Sequence, residues 1–170
     1  MALHGRFYLN YGFFSPLKFP GIGTFMAFSG DKGYRNIPGC THIPDLGALP
    51  PGRYWIVDRP EGGIRSKVTT LVKNIASGVR HQDWFALYRD DGKIDDHTFI
   101  RGMERGNFRL HPIGRAGLSQ GCITMQHGED FYRLRAALLR TSKIRIPQSK
   151  TDAYGTIEVI LSDEKNCAHP

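Results

Sequence analysis

Cysteine is scarce in this chain: three residues in 170, Cys40, Cys122 and Cys167, with no Cys-x-x-Cys pair among them. Such wide spacing excludes a disulfide-built scaffold and argues against a structural zinc site. If one cysteine works as a thiol, the other two are expected free and partly buried, with a Cys40–Cys167 pairing left open for an oxidising compartment. Long apolar runs are also missing. No stretch approaches the roughly 20 residues of a membrane span, so stable membrane insertion is not expected. The first residues, Met1-Ala2-Leu3-His4-Gly5-Arg6-Phe7, lack a charged start followed by an apolar run, and no Sec-type signal is visible. The expectation is a chain made in the cytoplasm and exported, if at all, by a route that reads something else.

Acidic residues are outnumbered, 16 against 23 Lys and Arg, for a formal net charge of +7. That excess favours an anionic partner such as nucleic acid, phospholipid headgroups or an acidic wall polymer, or simply keeps the protein soluble. The basic residues are scattered (Arg101, Arg105, Arg109, Arg115, Arg133, Arg135, Arg140) with no dense run. No nucleic-acid partner is expected.

Glycine and proline are plentiful, at 20 and 10 residues, more than a helical bundle tolerates. They divide the chain into short β-prone runs: Phe7–Tyr11, Thr24–Ser29, Arg53–Val57 behind the turn signal Pro50-Pro51-Gly52, Trp84–Tyr88, Phe108–Leu110 and Thr156–Leu161. The period changes twice. Ile64, Val68, Leu71, Val72 and Ile75 make one apolar helical stripe, and Glu129 to about Ser142 makes another through Phe131, Leu134, Ala137 and Leu138. The expected fold is a single α+β domain over residues 1–170, β-rich with two amphipathic helices and a polar tail from about 162.

The segment with chemistry in it is Phe108-Arg109-Leu110-His111-Pro112-Ile113-Gly114-Arg115-Ala116-Gly117-Leu118-Ser119-Gln120-Gly121-Cys122-Ile123-Thr124-Met125. A thiol becomes a nucleophile when a nearby base or cation favours its thiolate, and histidine is the usual partner. His111 ends one strand and Cys122 opens the next apolar segment, eleven residues on. Gly121 allows a tight turn there, where successive amides suit a developing oxyanion. Ser119 adds a hydroxyl for the loop, the substrate or the imidazole. Without further context the same run also reads as a turn before a buried structural cysteine.

His111 … Ser119-Gln120-Gly121-Cys122-Ile123 resembles the active-site signature of the L,D-transpeptidases, His … Ser/Thr-His-Gly-Cys and an apolar residue. Phe108–Pro112 together with Ser119–Thr124 is more similar to the L,D-transpeptidase effectors delivered by type VI secretion. Phe28-Ser29-Gly30 resembles their early Ser-Gly strand end, and Leu49-Pro50-Pro51-Gly52-Arg53-Tyr54 their Pro-x-Gly-x-Tyr turn. The likeness spans most of residues 1–125. Gln120 stands where the common enzymes carry histidine, Thr124 where they carry arginine, and Pro112 where they carry glycine. The effector group shares these departures. Substrate-carboxylate binding then falls to Arg109 or Arg115, with Gln120 beside them.

The resemblance implies cysteine acyl transfer on peptidoglycan stem peptides, with a β-rich L,D-transpeptidase-like catalytic fold. Cys122 would attack the bond between diaminopimelate and the terminal D-alanine, His111 would move the proton, and the Gly121 and Cys122 amides would hold the oxyanion. Water, a D-amino acid or another stem's amine would take the acyl group. No metal or organic cofactor is required. The resemblance also implies delivery by secretion machinery, action in the periplasm of a target bacterium and a protective immunity protein in the producer. Two other readings stand beside it. Asp95, Asp96, His97, His81 and Asp83 fit a metal-dependent nuclease or, more simply, polar loops between strands. A non-catalytic wall-binding module would leave Cys122 structural. Tyr54, Trp84 and Tyr88 are expected to pack a strand core rather than stack on glycan.

Overall fold

A computed structural model of the chain describes residues 1–60, 80–115, 117–163 and 166–167. Its strands are β1 (Leu3–Leu9), β2 (Ser15–Phe19), β3 (Gly23–Phe28), β4 (Gly52–Asp58), β5 (Phe85–Arg89), β6 (His97–Ile100), β7 (Met103–Gly106), β8 (Arg109–Pro112), β9 (Ile123–Met125), β10 (Ile144–Arg145), β11 (Asp152–Ala153) and β12 (Gly155–Leu161). One α-helix, Gly128–Arg140, is seen among the described residues. The helix expected over 64–75 falls outside them.

Eight strands close into a barrel in the order β1-β12-β4-β5-β8-β9-β3-β2. Closure pairs every strand on both sides and removes the exposed edges that would otherwise recruit another chain. Alternation fills the interior: Phe7 and Leu9 of β1, Leu17 and Phe19 of β2, Tyr54 and Ile56 of β4, Phe85 and Leu87 of β5, Leu110 of β8, and Ile123 and Met125 of β9 join one buried cluster. Phe131, Leu134 and Leu138 of the helix enter the same cluster, which orients its apolar stripe. Each such side chain contributes roughly 1.5–3 kcal/mol on burial. The outer face of β4 and β5 is covered as well. Trp55, Val57 and Ala86 pack there with Ile146 and Ala153 from the β10–β11 region.

Two barrel pairings are parallel, β1 with β12 and β8 with β9. The second decides where the site lies. Parallel neighbours normally need a crossover of a dozen or more residues. Here residues 113–122 make the return, and Gly117 and Gly121, at φ 60° and 89°, supply conformations that other residues resist.

Three elements were not apparent in the sequence. β2 contains Pro16, which reads as a strand breaker, but pairing with β1 covers only Leu17 and Lys18, so the missing N–H costs no bond on that side. The β6–β7 hairpin replaces the expected polar loop around His97. Its turn residues Arg101 and Gly102 both have positive φ, the two-residue geometry that suits twisted strands. The β10–β11 ladder is two residues long.

The expectation of two free thiols is corrected. Cys40 and Cys167 form a disulfide, with Cα atoms 4.7 Å apart. The reason is the course of the tail after β12. Ser162 N–H donates to Leu9 O and the Tyr11 hydroxyl donates to Asp163, while Tyr11 N–H donates to Asn36 O, near the turn that carries Cys40. A separation of 127 residues hides this proximity. Cys122 is left as the free cysteine among the described residues.

Candidate active site

The two upstream runs, Phe28-Ser29-Gly30 and Leu49–Tyr54, meet at one hydrogen bond: Leu49 N–H donates to Ser29 Oγ at 2.7 Å. Ser29 is fully buried, and its own N–H donates to Asn36 Oδ1 at 2.9 Å. The Tyr54 hydroxyl donates to Pro50 O at 2.8 Å, and Arg89 donates to Pro51 O at 2.7 Å. These bonds tie the segment 30–51 to the end of β3 and to β4 and β5.

Leu110 pairs with Ile123 and His111 with Thr124 in the parallel β8–β9 ladder. Leu110 and Ile123 point into the core, so Arg109 and His111 of β8 and Cys122 and Thr124 at β9 share the opposite face. The thiol and the imidazole are therefore diagonal neighbours on adjacent strands.

His111 is 5% exposed. Its Nδ1 lies 2.8 Å from Pro112 O, and a carbonyl can only accept, so Nδ1 carries the proton. Nε2 then presents its lone pair, toward which the Thr124 hydroxyl donates at 3.3 Å. Trp84 stacks on the ring, centroids 4.2 Å apart and planes 18° apart, and His81 packs against Trp84. Burial holds the imidazole down at about 4; the bond to Pro112 O opposes this, and His81 and Arg109 add to it.

Cys122 is buried, and its Sγ is hydrogen-bonded to Asn107 O at 3.8 Å rather than to His111. Burial pushes the thiol up to about 11, against the pull of the Arg109 N–H and the Arg109 charge. The resting pair is thus neutral thiol and neutral imidazole. Ser119, 2% exposed, donates from Oγ to Cys122 O at 2.8 Å and so closes the turn around the nucleophile candidate. Gly121 sits at φ 89°, and a methyl there would come within 2.5 Å of the Arg105 guanidinium.

Arg109 is engaged elsewhere. Both of its terminal nitrogens donate to Asp96 at 2.6 Å, a bidentate pair, which weakens its candidacy for the substrate carboxylate. Arg115 and Gln120 are exposed on the loop. The Asp/His cluster is dispersed: Asp96 holds Arg109, and His97 Nδ1 lies 2.7 Å from Glu104 at the base of the hairpin. Among the described residues no group of three or more His, Cys, Asp or Glu side chains is placed to hold a metal ion, and no helix is long and apolar enough to cross a membrane.

A family model described as the Tlde1 domain matches residues 23–149, from β3 through β10. The chain belongs to the Tlde1 family of type VI secretion L,D-transpeptidase effectors. No curated protein matches it. The Tlde1 match contains every residue of the site above, including His111, Ser119, Gly121 and Cys122. Membership carries an L,D-transpeptidase-type activity on periplasmic peptidoglycan. The sequence did not mark three Tlde1 site neighbours: Asn107, whose carbonyl faces the thiol; Thr124, noted only as a missing arginine; and Asp96, expected in a polar loop. Trp84 packs on the core as expected, and it also stacks on His111.

Proposed function

We propose that this Tlde1 domain works as a cysteine acyltransferase on tetrapeptide stems, with Cys122 as nucleophile and His111 as its general base and acid. What supports the reading is the shared outer face of β8 and β9, which carries a thiol and an imidazole whose bond to Pro112 O leaves Nε2 as the acceptor, a place the Thr124 hydroxyl takes at rest.

The thiol proton passes to His111 Nε2 as sulfur attacks the carbonyl carbon of the diaminopimelate–D-alanine amide. The Cys122 side chain turns from Asn107 O toward Nε2 to do so. The Gly121 and Cys122 amides take the oxyanion, and Ser119 holds the turn that aims them. The C–N bond breaks, and the imidazolium returns its proton to the leaving amine of D-alanine. A thioester on Cys122 remains. Water, a D-amino acid or a second stem's amine attacks it, His111 takes the attacker's proton, and the thiol is regenerated.

A resting pair of neutral groups suits this sequence, because the ion pair forms only when substrate supplies a place for the charge. Hydrolysis or exchange removes the tetrapeptide donors of normal crosslinking, the basis of toxicity to a competitor. An immunity protein in the producer and delivery by secretion machinery belong to the same reading.

The test is mass spectrometry of muropeptides after incubation with wild type and with Cys122→Ala. Loss or exchange of the terminal D-alanine with wild type only is the expected outcome. Identical conversion by both proteins overturns the assignment of the nucleophile.

A further inference from the structure

The β6–β7 hairpin lies outside the barrel, yet it sends one side chain back to the nucleophile's turn. Arg105 of β7 is 4% exposed although it is an arginine in a polar hairpin. Its Nη1 donates to Thr41 O and, at 3.5 Å, to Ala48 O, and its Nη2 donates to Gly47 O at 2.9 Å. The guanidinium also stands 5.5 Å from the Phe108 ring centroid.

Gly121 makes room for it, since a methyl there would lie 2.5 Å from Nη2; one at Gly47 would first meet Cys40 O, then Ile43 O at 2.9 Å and Nη1 at 3.1 Å. One guanidinium therefore fills the space between the 41–48 loop and the turn immediately before Cys122.

Burying a charge costs several kcal/mol unless hydrogen bonds compensate it. The acceptors here are neutral carbonyls, and the Asp45 carboxylate acts on the guanidinium through charge alone. Arg109 shows the contrast, because Asp96 neutralises it. The charged side chains acting on Cys122 are, strongest first, Arg109, Asp96 and Arg105. Arg109 and Arg105 favour the thiolate, and Asp96 opposes it.

From this geometry we infer that Arg105 is a positioning residue for the thiol chemistry. It pins the 41–48 loop against the Gly121 turn and holds a buried positive charge beside the turn where the thiolate, and then the oxyanion, must form. The inference rests on Cys122 being the nucleophile. It also gives the disulfide a route to the site, since the loop that Arg105 grips begins beside Cys40.

The experiment compares wild type, Arg105→Met and Arg105→Lys by the rate of iodoacetamide alkylation of Cys122 between pH 7 and 9, alongside muropeptide turnover and thermal melting. In that range the rate follows the thiolate fraction. Loss of the charge is expected to lower the alkylation line by on the order of tenfold at each pH, one pKa unit, without changing its slope. Turnover is expected to fall at least as far, and Arg105→Lys to stay within about threefold of wild type.

A merely structural role moves the alkylation line the other way, because a loosened turn exposes the thiol and lets its pKa relax downward. Unchanged or faster alkylation in a folded Arg105→Met protein overturns the inference. If Arg105→Met does not fold, Arg105→Lys decides: a wild-type line supports the charge, and a line displaced tenfold overturns it. The acyl-transfer reading fails separately, by turnover that survives Cys122→Ala.

Discussion

Trp84 lies flat on His111, ring centroids 4.2 Å apart with 18° between the planes. The stack, the Nδ1–H bond to Pro112 O and the Thr124 hydroxyl leave the imidazole one orientation, with Nε2 as its acceptor. Replacing Trp84 with alanine removes the wall on one side of that ring. Turnover of muropeptides is expected to fall about 10- to 100-fold. The His111 pKa is expected to rise toward its ordinary value, which titration of its ring carbon resonances measures. Phenylalanine at 84 is expected to restore most of both.

Gly121 has two reasons to be glycine: φ of 89°, and a methyl that would meet Arg105 at 2.5 Å and the Phe108 ring at 3.0 Å. Gly121→Ala is expected to cost about 1–3 kcal/mol by thermal or chemical denaturation. Activity is expected to be lost beyond what that stability change explains, because the amide aimed at the oxyanion moves with the turn.

The thiol and the imidazole could be singled out in the sequence because a glycine turn, a cysteine and an upstream histidine are local features, but their roles came only with the resemblance. What lay around them was not legible. Arg109 looked available because its partner, Asp96, stands thirteen residues earlier and was read as part of a loop. Arg105 stood only among the scattered basic residues, because a buried arginine and an exposed one have the same spelling. β2 was concealed by Pro16, whose missing N–H falls where pairing with β1 ends. The barrel itself depends on long-range pairing of β1 with β12, which no local pattern reports. The second helix, expected over 64–75, lies outside the described residues.

The disulfide ties a fully buried Cys40 to the tail across 127 residues. Closing so long a loop constrains the unfolded chain, and removing it is expected to cost about 2–4 kcal/mol. Cys40→Ser should therefore melt at lower temperature than wild type, and dithiothreitol should lower the wild-type melting point to meet it. Equal melting points with and without reductant would show that the bond carries no stability.

His111 also sets an acid dependence of stability. Its folded pKa is depressed to about 4 from an ordinary 6.5, so between those values the unfolded chain binds a proton that the folded chain refuses. Stability from this group is complete above pH 6.5, declines as pH falls to about 4, and is then level. The full loss is on the order of 3 kcal/mol. Denaturant unfolding at pH 7 and pH 4.5 on wild type and His111→Gln checks it: the variant should show a correspondingly smaller drop.

The most direct measurement is intact-protein mass spectrometry of the wild-type domain, mixed with a tetrapeptide muropeptide and quenched in acid within the first turnover. The account predicts an adduct equal to the stem without its terminal D-alanine, mapped to the peptide containing Cys122 and released by hydroxylamine as a thioester is. An adduct on another residue, or full turnover by Cys122→Ala, would contradict it.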